Sequence, residues 1–178
     1  METMDTILKR RSCRSFTDQQ ISDEDLHRLL VAANAAPVGM ATYDQLAISV
    51  IQDKQLIDKM EQAAKTALPD MRAEHPVYNA PTLILVSAKE KSGNYEPMHR
   101  MSVGCIIENI MLEATDLGLG SIFLMAVPTL AGKSPAIREA ARVPEGFVPF
   151  AAAGVGYAAD SAPAHEASVN VIPTAYVR

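Results

Sequence analysis

The sequence predicts an α/β or α+β sandwich, a sheet with helices on both sides. Three observations carry that reading. Residues 82–88, TLILVSA, form a continuous apolar run between Pro81 and Lys89-Glu90-Lys91, the pattern of a strand buried on both faces. Residues 99–117 place apolar side chains at Val103, Ile106, Ile107, Ile110, Met111, Ala114 and Leu117, a stripe wide enough for the central helix of a core. Around these two, helix-period and strand-like segments alternate along 178 residues, the length of one ordinary domain, and 1–178 is read as a single domain.

The elements follow in order. Thr3–Lys9 reads as a short helix with Met4, Ile7 and Leu8 on one side, ending near Arg10. The next helix is marked by Ser22 as N-cap, by acids at Asp23, Glu24 and Asp25, and by Leu26, Leu29, Leu30 and Ala33 at helical spacing. Pro37 and Gly39 stop it. Residues 45–51 (QLAISVI) are rich in β-formers and precede an amphipathic helix from Lys54 to about Ala67, closed by Pro69. Residues 70–80 are loop or lid before the buried strand. Gly118 is placed to cap the central helix. GSIFLMAV then reads as a strand, residues 134–142 as a short helix, and residues 147–156 as a last core strand. After Asp160 the composition turns to Ala, Pro and Ser, and 161–178 reads as a C-terminal extension whose apolar residues, Val169, Val171, Ile172, Ala175 and Tyr176, have no place in a monomer core.

Composition limits the functions available. The apolar stretch at 105–119 is broken by Glu108, Asn109, Glu113 and Asp116, so it is no bilayer span. The basic residues 9–14 are followed by Ser15, Thr17, Asp18 and two glutamines rather than an apolar signal-peptide region, which predicts a cytoplasmic protein. Cys13 and Cys105 are expected as free thiols. A net charge of -5 argues against nucleic acid or anionic membrane as partner.

Several motifs reduce to packing. Gly154-Val155-Gly156-Tyr157-Ala158-Ala159 matches a dinucleotide fingerprint, but Ser161-Ala162-Pro163 leaves no helix to meet a pyrophosphate, and small residues packing closely at a strand end account for it better. The histidines at 27, 75, 99 and 165 show no ligand spacing, so no metal site is expected. No serine sits in a nucleophile elbow, and no catalytic side chain is assigned. What remains is Lys9-Arg10-Arg11-Ser12-Cys13-Arg14, four basic residues in six within an acidic chain. In an extended segment Arg10, Ser12, Arg14 and Phe16 project on one side and Arg11 and Cys13 on the other. Two guanidiniums and a hydroxyl suit a phosphate. A solvated basic turn pairing with Asp5 or Asp18 suits the spacing equally well.

RRSCRSF, preceded by DTILK and followed by an ISDEDL helix, resembles the N-terminal signature of the FMN-dependent nitroreductase family. Ala35-Ala36-Pro37-Val38-Gly39-Met40 is similar to the family's APSGM segment, residues 99–119 to its central helix, GLGSIFLMA to the following strand, and VPEGFVPFAAAGVGYA to its final strand. The resemblance implies an α+β nitroreductase-like sandwich: a mixed, mostly antiparallel sheet flanked by helices, in an intertwined homodimer whose C-terminal extension reaches the partner subunit. It further implies FMN at the dimer interface, NAD(P)H as electron donor, and a nitroaromatic, quinone or similar small acceptor reduced by a ping-pong mechanism. Arg10, Arg11, Ser12 and Arg14 would hold the FMN phosphate and ribityl end. Pro37, Val38, Gly39 and Met40 would line the flavin from the partner subunit. Met125 and Ala126 would meet the isoalloxazine edge near N5.

The chain departs from the family pattern in two places. Ala41 stands where the family usually has Asn, with Tyr43 and Asp44 in place of Gln-Pro, and the C-terminal segment offers only His165 where a basic residue often reaches the phosphate. A same-fold flavoprotein performing reductive dehalogenation or flavin fragmentation, and a non-catalytic FMN-binding protein, are the alternatives.

Overall fold

The structure is a computed structural model that describes residues 2–71, 73–90, 95–161, 163–168 and 171–178. Helices α1 (Thr3–Lys9) and α2 (Asp23–Asn34) lead into β1 (Leu46–Ile51), α3 (Lys54–Ala67) and β2 (Thr82–Lys89). Then come α4 (Tyr95–Asp116), β3 (Gly120–Leu124), α5 (Ala126–Ala131), α6 (Pro135–Ala140) and β4 (Phe147–Gly156). The strand order is β1-β2-β4-β3, and every pair is antiparallel. One parallel bridge, Ser12 to Ser121, supplies the mixed character that the resemblance implies.

Alternation along the strands builds two cores. On one face Ile84, Val86, Ala151, Ala153 and Val155 pack against Leu29 and Ala33 of α2 and against Val103, Ile107 and Ile110 of α4. On the other, Leu83, Leu85 and Ala152 meet Leu56, Ile57 and Met60 of α3 and Val127 and Ala131 of α5. The alanines of β4 keep the sheet thin enough for both helical layers to approach it. In the same strand a Cβ on Gly156 would lie 2.6 Å from Pro81 Cδ, which identifies the Gly154-Val155-Gly156 pattern as close packing.

Caps agree with the sequence. The Ser22 side chain accepts the Asp25 N–H, and Asp53 caps α3 by accepting from Gln55 and Leu56. Gly118 (φ +76°) closes α4: its N–H bonds the Thr115 carbonyl and that of Leu119 the Ala114 carbonyl, a Schellman ending that only a left-handed residue completes.

Two boundaries differ from expectation. α4 starts at Tyr95 rather than near His99, because its first turn is polar and carries Pro97, which a first turn tolerates but an apolar stripe cannot signal. The stretch GSIFLMAV is not one strand. It breaks after Leu124, and α5 begins at Ala126 with Pro128 in its first turn and Val127 and Ala131 buried. A short apolar run is ambiguous between strand and buried helix, and here the helix prevails.

The described part of the tail has neither helix nor strand, and Val171, Ile172, Tyr176 and Val177 are exposed. Val169 lies outside the described residues. The tail starts against α1, where the His165 N–H bonds the Leu8 carbonyl at 2.8 Å. Among the described residues no helix is long and apolar enough to cross a membrane.

Ile110, fully buried between α4 and the sheet, tests the first core. Ile110→Ala is expected to cost about 2–5 kcal/mol in denaturant-induced unfolding, the range for truncating a buried aliphatic side chain.

Candidate functional site

The N-terminal arm is an extended segment sewn to the open edge of the sheet. The Cys13 N–H bonds the Ser121 carbonyl at 2.8 Å, the Thr17 N–H bonds Tyr157, and the Ala159 N–H returns to Ser15. Cys13 points inward, its sulfur donating to the Ser15 carbonyl at 3.1 Å and lying so close to Gly120 that a Cβ there would come within 2.9 Å of it. Burial pushes the Cys13 thiol up, and the nearby Asp160 charge adds to this against the opposing effect of the Ser15 hydrogen bond. It is a packed thiol, not a reactive thiolate.

The arm's side chains do not follow the simple alternation. Ser12 and Arg14 face solvent as expected, whereas Phe16 is buried in the second core. The reason is a change of pairing: the arm runs parallel to β3 at Ser12–Ser121 and antiparallel to the chain beyond β4 at Phe16–Ala158. Arg10 turns to α4 and pairs with Glu108 at 3.3 Å. Arg11, read from alternation as facing away, joins Ser12 and Arg14 in lining a cleft of about 710 Å³.

That cleft is electrostatically unusual for an acidic protein. Lys9, Arg11 and Arg14 line it, with Ser12, Ser15 and Ser161 supplying hydroxyls and Asp160 the one acid among its described lining residues. Arg14 Nη1 reaches the Ser12 carbonyl at 3.4 Å. Arg11 Nη1 is buried with no hydrogen-bond partner. A buried donor on a charged group is costly to leave unpaired, and a phosphate oxygen is the natural acceptor for a guanidinium. Lys9, Ser15, Asp160 and Ser161 escaped the sequence reading. The first two stand within or beside the quoted basic run, while Asp160 and Ser161 arrive from the far end of the chain and give no local signal.

The other expected residues lie outside this cleft. Met125 and Ala126 are exposed at the junction of β3 and α5, where the Thr129 hydroxyl contacts the Met125 and Ala126 carbonyls at 2.8 and 3.1 Å. Between that junction and the cleft runs β3, with Phe123 41% exposed. Pro37 and Met40 are exposed, and Val38 and Gly39 half-buried, on a turn ahead of β1. Met40 and Ala41 there hold φ of 55° and 53°, the left-handed region, which costs an L-residue roughly 1–2 kcal/mol. The turn closes on itself through Ala41 N–H to Val38 and Thr42 N–H and Oγ1 to Gly39.

Known proteins match this chain along nearly its whole length. The profile of the Nitroreductase family matches residues 7–157. A protein of Archaeoglobus fulgidus, provisionally named an NADH dehydrogenase/NAD(P)H nitroreductase, is 33% identical over 97% of this chain and 94% of its own. Among solved structures, a nitroreductase with bound FMN from Bacteroides fragilis superposes with a TM-score of 0.85 at 27% identity, covering 100% of both chains. One with bound FMN from Desulfitobacterium hafniense gives 0.86 at 25% identity over 99% of each.

The packed state of Cys13 is open to a direct check. In native protein at pH 8, iodoacetamide should leave Cys13 unlabelled, and labelling should appear on unfolding, as peptide mass spectrometry would read. Rapid native labelling of Cys13 would refute the buried-thiol geometry.

Proposed function

This chain belongs to the nitroreductase family, and from that premise we propose that it is an FMN-dependent NAD(P)H oxidoreductase that reduces a nitroaromatic, quinone or similar acceptor in a ping-pong cycle, as a cytoplasmic homodimer. The observation that carries the reading is Arg11, whose buried Nη1 lacks an acceptor beside Ser12 and Arg14. A phosphate dianion fits this donor set, with Ser12 adding a hydroxyl to the two guanidiniums. Arg10 faces α4 here, so its share in phosphate binding would require exchange of Glu108 for the ligand.

The strand beside the cleft supports the rest of the reading. From Gly120 to Met125 the chain advances roughly 17 Å at strand rise, a run that suits a ribityl chain and a flavin ring laid along the edge. In this reading the backbone at Met125 and Ala126 meets the ring edge, and the turn at residues 37–40 of a second copy closes the opposite side. Bound there, FMN supplies hydride and electron transfer between nicotinamide and acceptor. The chain's own work is to neutralise the phosphate, to orient the ring edge by backbone groups and to leave one face open, so no side-chain acid or base is required. Ala41 narrows the polar contacts available at that face, consistent with an apolar, planar acceptor.

A second copy is supported by what one chain leaves uncovered. Met4 (62%) and Ile7 (43%) of α1 and Met101 (68%) of α4 are exposed, as is Cys105 one turn on. α1 and α4 touch each other, and with the apolar tail they make surface of a kind that marks an interface.

Purified protein should be yellow, release FMN on denaturation, bleach with NAD(P)H and regain colour with a nitroaromatic or quinone. A colourless protein that takes up no FMN would sink the reading. Arg11→Ala and Arg14→Ala should each weaken FMN binding about tenfold or more, the size of a hydrogen bond to a charged group, about 1.5–3 kcal/mol. Fluorescence titration measures it, and wild-type affinity in both variants would mean that the phosphate sits elsewhere.

Deleting the chain after Asp160 should reduce dimer stability and FMN retention together. A truncated dimer with full flavin content in light scattering would refute the shared site.

A further inference from the structure

The turn at residues 38–41 is fastened to α4 through one side chain. Ser102 is 3% exposed, and its hydroxyl donates to the Met98 carbonyl at 3.0 Å while accepting the Gly39 N–H at 3.1 Å. The Gly39 carbonyl on the other side is taken by Thr42, so both polar groups of this glycine are tied. There is no room to spare: a Cβ at Gly39 would stand 2.4 Å from Met98 Cγ and 2.9 Å from its sulfur. Immediately beyond this anchor come the two left-handed residues, Met40 and Ala41, with the Met40 side chain 77% exposed. A strained, outward-facing segment anchored at its base in this way is shaped to present a surface at a fixed height, which core packing would not require.

We infer that Ser102 is a positioning residue for the flavin, setting where the turn at residues 37–40 meets the ring in the partner subunit's site. The inference rests on the reading above in which those residues line the flavin. Ser102 acts through Gly39 and touches no reacting atom. Met101, its neighbour on α4, is 68% exposed on the face assigned to the second copy, so the helix that holds the turn also carries part of the proposed interface. Turn height and subunit packing are thereby set by adjacent residues of one helix.

Ser87 on β2 provides the control. It is buried as deeply, at 1% exposure, and its hydroxyl has no hydrogen-bond partner. In FMN-loaded protein, Ser102→Ala should raise hydrogen exchange across residues 38–42 and the KM for a quinone by roughly fivefold, the effect of one lost hydrogen bond. It should also shift the visible circular dichroism of the bound flavin, with kcat changed less than KM. Ser102→Thr, which keeps the hydroxyl, should restore the dichroism, and Ser87→Ala should match wild type throughout. Ser102→Cys, close in volume and a poor acceptor, should give the alanine signature in a helix that alanine might have loosened.

Wild-type exchange, dichroism and KM in the Ala and Cys variants overturn the inference, as does an equal change in Ser87→Ala. Those results leave the proposed function standing. A wild-type protein that takes up no FMN overturns both.

Discussion

The burial of α4 is the constraint on which the other parts hang. Its 22 residues span roughly 33 Å at helical rise, and Val103, Ile107, Ile110 and Ala114 are almost wholly removed from water against the sheet and α2. A helix so placed cannot shift without opening the first core, so whatever is attached to it inherits its position. The attachments are many. Glu108 holds Arg10, Ser102 holds Gly39, Asn109 donates to the Ala32 carbonyl at 3.0 Å, and Glu113 pairs with Arg28 at 2.7 Å. At its end the Gly118–Leu119 closure delivers Gly120 to the strand beside which the basic arm lies. The phosphate-suited cleft and the turn at 38–41 therefore belong to one rigid frame although they are separate surfaces of the chain.

The sequence made this frame legible where burial leaves a period or a cap a mark. The apolar run of β2, the wide stripe of α4 and the caps at Ser22 and Gly118 all appear in the structure as read, since each is a local consequence of which groups must leave water or find a partner. The break between β3 and α5 was not legible. Met125-Ala126-Val127 are apolar in either conformation, and it is the burial of Val127 and Ala131 against the second core that selects the helix. Side-chain direction in the basic arm was only half legible, because alternation assumes one continuous pairing and the arm changes partner between Ser12 and Phe16. That change brings Arg11 into the cleft. Asp160 and Ser161 illustrate the remaining limit: nothing near them in the sequence shows that they return to residues 9–15.

The turn before β1 combines cost and restraint differently from the rest of the chain. Two successive L-residues in the left-handed region are unfavourable by roughly 1–3 kcal/mol each, yet the side chain between them and the solvent, Met40, buries almost nothing in return. Such a conformation persists only where neighbours over-determine it. Here they are the hydrogen bonds around Gly39 and the Met98 side chain beneath it. Two left-handed residues also occur in succession at Tyr78 and Asn79, but there the loop is drawn inward: Val77 is buried and its N–H is accepted by the buried Glu61 carboxylate at 2.8 Å. One strained segment is thus used to cover a core and the other to project from it.

The concentration of positive charge at residues 9–14 in a chain of net charge -5 becomes intelligible once distance is considered. At physiological ionic strength the charges of exposed groups are screened beyond about 8 Å, so an anion seated among Lys9, Arg11 and Arg14 responds to those cations and to Asp160 rather than to the acidic surface elsewhere. A polyanion is in the opposite position. Its affinity is built from many phosphates neutralised along an extended basic face, and outside this cleft it would meet an acidic molecule. The same charge distribution therefore admits one small phosphate group and discourages a nucleic acid. It needs no discriminating side chain to do so, because selection follows from confining the cations to a cleft about one phosphate wide and pairing Arg10, at its margin, with Glu108.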